Sequence, residues 1–117
     1  MGARRADRVA DAVRSALAEI LLKEAKDPRI GFVTLTEVRM SDDLRHARVY
    51  FSVLGDEEAR RRSLEGLESA APFLRREVGR RLRLRFAPEI VFRFDPRPTE
   101  AEHVARLLRG HPRDEEE

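Results

Sequence analysis

At 117 residues the chain has room for one domain with a modest core, and with 41% apolar residues most of it is expected to fold. Charged residues reach 39%, and 22 of the cations are arginine against 2 lysines; the surface is densely ionic and suited to phosphate, although so general a bias equally fits a hot habitat or an arginine-rich genome. There is no cysteine, which excludes disulfides, thiol catalysis and cysteine metal sites.

Residues 4–25 read as an amphipathic helix, with Val9, Val13, Leu17, Ile20 and Leu21 recurring at helical spacing. Asp7 and Asp11 near its start suit the helix dipole. Asp27-Pro28 ends it, because the residue before a proline is pushed out of the helical region. Residues 32–40 and 46–54 alternate and are rich in β-branched side chains, with Ala47, Val49, Phe51 and Val53 on one face. Joined by the polar stretch 41–45, they predict an antiparallel hairpin. Asp42 and Asp43 in that turn are expected to close it, not to perform acid–base or metal chemistry.

Gly55-Asp56 breaks the second strand, and Asp56 is placed to cap a second helix that has Glu57 and Glu58 in its first turn. Leu64, Leu67, Ala70 and Ala71 are its buried stripe. Pro72 suits a first helical position better than an interior one, so a break is expected at Ala70-Ala71-Pro72. A third helix then runs from residue 72 to about 83, with Leu74, Val78 and Leu82 facing inward. After Ala87-Pro88, residues 89–94 form a third strand with Ile90, Phe92 and Phe94 on one side, stopped by Asp95-Pro96-Arg97-Pro98. Thr99-Glu100-Ala101-Glu102 has the capping-box pattern and opens a short helix with Val104, Leu107 and Leu108 facing the core, closed by Gly110. Residues 1–110 make one domain, and 111–117 are read as an acidic, disordered tail. One apolar face per strand puts helices on one side of a small sheet, an α+β sandwich of two layers.

Residues 75–85 concentrate six arginines, Arg75, Arg76, Arg80, Arg81, Arg83 and Arg85, against one acid, Glu77. On a helix Arg76, Arg80 and Arg83 share a face. Such a face is costly for an isolated helix and useful for holding RNA. The bland alternative is a solvated face with Glu77 paired to Arg80 or Arg81. Arg75, Arg81 and Arg85 are candidate RNA contacts beside Arg76, Arg80 and Arg83; if the helix continues, Arg81 and Arg85 project nearer the apolar side, where snorkelling is the alternative. Arg4, Arg5 and Arg8 form a second basic cluster, read as a mobile arm for phosphate. Arg60-Arg61-Arg62 looks as basic but has Glu57 and Glu58 at i,i+4 from Arg61 and Arg62. Arg45 and Arg48 flank the hairpin turn and remain open. Residues 1–113 carry about +6 and the last four residues −4, so the tail masks a basic body. The histidines are too scattered for a metal site, the glycines form no phosphate loop, and no nucleophile–base constellation is present. No apolar run approaches the ~18 residues of a membrane span and no signal-peptide core follows the N-terminus, so a cytoplasmic protein is expected.

The predicted order, helix–strand–strand–helix–helix–strand, is that of the type II KH domain, and the chain closely resembles the ribosome-binding factor A family. The resemblance rests on Lys26-Asp27-Pro28-Arg29, on Thr34, Thr36 and Val38, on Ser41 with Asp43-Leu44, and on Ala47, Val49, Tyr50 and Ser52. The passage 82–92 (LRLRFAPEIVF) completes it. It implies a non-catalytic, cytoplasmic assembly factor that binds the immature small ribosomal subunit (30S) and assists maturation of the 5′ region of its 16S rRNA. It also implies a part in cold adaptation, and no cofactor, metal, membrane or small-molecule substrate. A monomer is expected. Where KH domains carry a Gly-x-x-Gly loop, the resemblance implies an Ala-x-Gly kink, here Ala70-Ala71-Pro72 with proline in the glycine's place. A charged surface docked on structured RNA is therefore expected. The alternatives are a KH-like single-strand RNA chaperone unconnected with ribosomes and a protein–protein adaptor.

Overall fold

The computed structural model describes residues 2–24, 27–97, 104, 107 and 108, with side chains from residue 5 onward. Helix α1 spans Gly2–Lys23. Of the stripe read from the helical spacing, Val13, Leu17 and Ile20 are buried and Val9 and Leu21 partly so; Ala6, Ala10 and Ala16 complete the buried face. Because the helix begins at Gly2, Asp7 and Asp11 fall beyond its first turn, which holds no acid. They therefore add little to the dipole, whose effect fades within that turn.

Strands β1 (Val33–Met40) and β2 (His46–Val53) form the expected antiparallel hairpin, and β3 (Glu89–Phe94) pairs parallel to β2, giving the order β1-β2-β3. Parallel neighbours need a long crossover, and the intervening helix supplies it. Ser41 closes the hairpin turn: its N–H donates to the His46 carbonyl at 3.0 Å and its hydroxyl to Asp43 Oδ1 at 2.7 Å. The inner sheet face carries Leu35, Val38, Ala47, Val49, Phe51, Val53, Ile90 and Phe92, all buried against the helices. The register shifts between Leu35 and Glu37. The bulge frees Thr36 from the ladder, as bulges do, and its hydroxyl donates to Asp95 Oδ2 at 2.6 Å.

Helix α2 spans Glu57–Arg81 without interruption, with Pro72 inside it. The break expected at Ala70-Ala71-Pro72 is not there, and the two predicted helices are one. An interior proline costs a helix ~3 kcal/mol. Here Leu67 on one side, and Leu74 and Val78 on the other, are fully buried and hold both halves to one line. Glu68, whose carbonyl loses the Pro72 donor, is exposed and open to water. Asp56 caps the start as predicted, accepting from the Ala59 N–H at 2.9 Å. Near the middle, Gly66 lets the 27–31 turn approach: a Cβ there would lie 2.7 Å from Ile30 Cγ1. Ser63 reinforces the seat, accepting from the Gly31 N–H at 3.3 Å.

Both helices cover one sheet face, the KH-like α+β arrangement expected from the element order. The capping box at Thr99 to Glu102, Gly110 and the acidic tail lie outside the described residues. Val104, Leu107 and Leu108 are helical but exposed, at 44%, 64% and 82%. The expectation that they face the core fails, because α1 and α2 already fill the inner face of the sheet.

Candidate nucleic-acid interface

The arginine run divides into groups with partners and groups without. Glu77 accepts from Arg80 Nη2 at 2.7 Å and from Arg81 Nε at 3.3 Å. The Arg80 guanidinium, foremost, holds the Glu77 carboxyl below its ordinary range. Both pairings of the bland alternative are thus present. Arg81 goes further, bonding Glu24 and lying 3.7 Å from Glu19, with its side chain 24% exposed. It fastens the end of α2 to the end of α1 and belongs to the fold. Arg75 Nε donates to the Ala87 carbonyl at 3.2 Å, steadying the approach to β3. Arg76 is exposed and meets no carboxylate among the described residues.

Arg83 is not on the helical face assigned to it. The helix ends at Leu82; Arg83 takes φ +52°. The Leu84 N–H reaches the Gly79 carbonyl at 3.0 Å and the Arg83 N–H the Arg80 carbonyl at 3.2 Å. This is a Schellman cap with arginine at the left-handed position that glycine normally takes. An L-residue with a Cβ pays roughly 1–2 kcal/mol there. The side chain is exposed and has no described carboxylate partner.

Beyond the cap the fold builds a feature that the linear sequence conceals. Phe86 is 47% exposed, and Arg45 from the hairpin turn lies over its ring at 4.0 Å, with the Arg85 guanidinium at 5.6 Å from the centroid. The Glu89 N–H donates to the Arg45 carbonyl at 2.8 Å, and this bond brings the turn beside the chain leading into β3. Arginines interleaved with an exposed aromatic ring are a recurrent way to hold RNA. Only the aromatic at the end of RLRLRF hinted at it.

Other sequence-singled groups lie elsewhere. Arg4, Arg5 and Arg8 are part of α1 from its first turns, not a mobile arm; Arg5 and Arg8 are exposed, and the Arg4 side chain lies outside the described residues. The far end of α1 meets Arg81, so these residues stand roughly 15–30 Å along the helix from that point. They are not brought together with the α2 terminus. Ala70 and Ala71 are half-buried and Pro72 is exposed within α2. Arg61 bonds Glu58 and Glu65, the first at i,i+3 and not the expected i,i+4. Arg60 stacks over Phe94 at 4.0 Å. An ion pair closes the turn after α1: Arg29 Nη2 lies 2.6 Å from Asp27 Oδ2 and, with the Arg29 N–H, lowers the Asp27 carboxyl to about 2. No cluster of metal-ligating side chains occurs among the described residues, and none of their helices is long and apolar enough to cross a membrane.

Asp95, which the sequence marked only as a strand stop, is 3% exposed. Arg97 forks onto it at 2.9 and 2.7 Å, and Thr36 donates at 2.6 Å. Arg97 first and Thr36 second hold its carboxyl well below the usual carboxylate range. A depressed folded-state value means that its stabilisation is present above the ordinary carboxylate value and is lost as pH falls towards the folded one. Asp27 acts in the same direction between about pH 4 and its own folded value. Asp95→Ala should cost about 1–3 kcal/mol at pH 7. Urea unfolding at pH 7 and pH 3 should show a smaller difference between wild type and variant at the lower pH; an equal difference would mean that the ionised network contributes nothing.

Residues 5–108 match the family model described as ribosome-binding factor A. The Ribosome-binding factor A of Desulfitobacterium hafniense is 47% identical over 116 residues, spanning 99% of this chain and 93% of that protein. The crystal structure of ribosome-binding factor A from Thermus thermophilus superposes with a TM-score of 0.64 at 30% identity, covering 75% of this chain and 93% of that one. A homology model of the Thermus thermophilus factor, fitted into the cryo-EM map of a 30S complex of that factor, superposes with a TM-score of 0.61 at 30% identity, covering 74% and 91%.

Proposed function

The chain belongs to the ribosome-binding factor A family, and we propose that it is a non-catalytic assembly factor that binds the immature small ribosomal subunit and assists maturation of the 5′ region of its 16S rRNA. The observation that carries the reading is the group of guanidinium ions at the end of α2 without carboxylate partners among the described residues. These are Arg76 and Arg83, with Arg85 and Arg45 gathered at Phe86. The 30S complex of the Thermus thermophilus factor supports the same partner. Held on a rigid helix end and a closed hairpin turn, these groups meet phosphates at fixed spacing, and their affinity is electrostatic. Binding one arrangement of the rRNA better than another shifts the RNA towards that arrangement without any bond being made or broken. The protein acts in the cytoplasm as a monomer, with no cofactor, metal or small-molecule substrate, and serves growth in the cold.

If four arginines neutralise phosphates, affinity for free 30S subunits should fall on the order of 100-fold between 50 and 200 mM salt. Sedimentation of the purified protein with free and mature subunits across that range tests this. Migration with free subunits, weakening steeply with salt, is expected. Indifference to subunits with tight binding to short oligonucleotides would favour a general chaperone. A nuclease-resistant protein partner would favour an adaptor.

A further inference from the structure

The sheet face turned away from the helices is not covered by any described element, and it has its own chemistry. Arg39 and Arg48 are register partners on β1 and β2, Arg48 pairs with Val91, and Tyr50 pairs with Arg93. By strand alternation these side chains share one face. All but Tyr50 border an open hollow of about 410 Å³, whose lining includes Arg39, Arg48, Arg93, His46, Ser41 and Val91 and contains no carboxylate. Like charges directly opposite each other across a ladder are unfavourable; here Arg39 is paired with Glu37, and Arg48 opposite it is not paired with any described carboxylate. Glu37, the register partner of Tyr50 on this face, is taken by Arg39 at 2.8 Å and Arg97 at 3.1 Å. Glu89 stands 3.9 Å from His46 Nδ1. Arg48 and Arg93 meet no carboxylate among the described residues. Between the cations lie apolar and aromatic surfaces: Val91 is 41% exposed, and the half-buried Tyr50 ring has the Arg39 guanidinium 5.7 Å from its centroid.

We propose that this sheet face is a second RNA site, which takes an unpaired strand with its phosphates on Arg48 and Arg93 and a base against Arg39, Tyr50 and Val91. Two cations without internal partners, separated by apolar and planar surface, complement a strand that alternates phosphate with an unstacked base. A rigid duplex would present only its phosphates and leave Val91 and Tyr50 unused. The inference takes its ligand class from the function proposed above but places the strand on the opposite side of the sheet from α2. The protein would then hold two RNA segments at once. The second contact is intramolecular once the first is made, so overall affinity exceeds that of either face alone.

The test uses the full chain, an unstructured fluorescein-labelled RNA 10-mer and free 30S subunits. Arg48→Glu with Arg93→Glu should weaken 10-mer binding by about tenfold or more, and should flatten its log–log salt slope by roughly 1.4, the share of two single-strand phosphate contacts. Amide signals of residues 39, 48, 91 and 93 should move on titration with the 10-mer. Arg48→Gln with Arg93→Gln should show a smaller loss and serves in place of the Glu pair if that pair disturbs folding. Unchanged 10-mer affinity in both pairs, or unmoved strand signals, overturns the inference. So does movement of those signals with a poly-glutamate peptide but not with RNA, which would make the occupant an acidic protein. Loss of subunit binding on changing Arg76 and Arg83, together with 10-mer binding indifferent to the sheet pairs, overturns this inference and leaves the assembly-factor reading standing. The converse result sustains the sheet site and removes the α2 surface.

Discussion

Arg76→Glu combined with Arg83→Glu should lower affinity for the free small subunit by about 100-fold at low salt, with the fold intact. Each substitution removes a cation from a phosphate and installs a repulsive charge, and phosphate contacts dominate RNA affinity. Neither side chain has a described carboxylate partner to lose. Arg83 offers a sharper comparison. Arg83→Gly places at φ +52° the residue that the cap favours, so it should stabilise the domain by about 1 kcal/mol and raise its melting temperature by roughly 5 °C. It should also weaken subunit binding by removing one contact. Opposite signs in the two measurements would identify the strained arginine as kept for its ligand. Higher stability with undiminished affinity would mean that it is merely tolerated there, and the interface would have to be drawn without it. Arg81→Glu provides the contrast: it breaks contacts with Glu19, Glu24 and Glu77, so its main effect should be on stability.

The elements that could be read from the sequence are those whose apolar period is long and unopposed. Val13, Leu17 and Ile20 announce α1, and the alternation of Ala47, Val49, Phe51 and Val53 announces β2; all seven are buried. Pro72 misleads because its local cost is real and is overridden only by burial of Leu67, Leu74 and Val78 on both sides, a tertiary effect that no window of sequence contains. The site was legible as a set of arginines, not as an arrangement. Helical spacing put Arg83 beside Arg76 and Arg80, but a Schellman cap with arginine in place of glycine gives no sequence signal, since glycine is the residue that marks it. Arg45 and Phe86 are far apart in the chain and meet only through the bond between Glu89 and Arg45. Asp95 looked like punctuation because its partner Thr36 is turned towards it by a bulge in a distant strand.

Phe51→Ala should cost about 3–5 kcal/mol, as truncation of a fully buried phenylalanine does. The residue has no exposed surface and sits on the central strand, register-paired with Leu35 and Phe94. Its ring meets those of Phe92 and Phe94 edge-on, with centroids 6.5 and 6.0 Å away. Removing it opens a cavity in the core at the central strand, and the neighbouring β-strand backbone cannot collapse into it. A small domain has only about 5–15 kcal/mol of stability in total, so a large fraction of the variant would be unfolded at 37 °C. Chemical denaturation should show the midpoint falling with little change in slope; a loss under about 1 kcal/mol would contradict the placement of this ring at the core. The variant also separates two ways of losing function. Its subunit binding should drop because fewer molecules are folded, and the salt slope of the folded fraction should match wild type, since no phosphate contact has been touched. The double variant Arg76→Glu with Arg83→Glu should do the reverse, changing the slope while leaving the unfolding midpoint where it was.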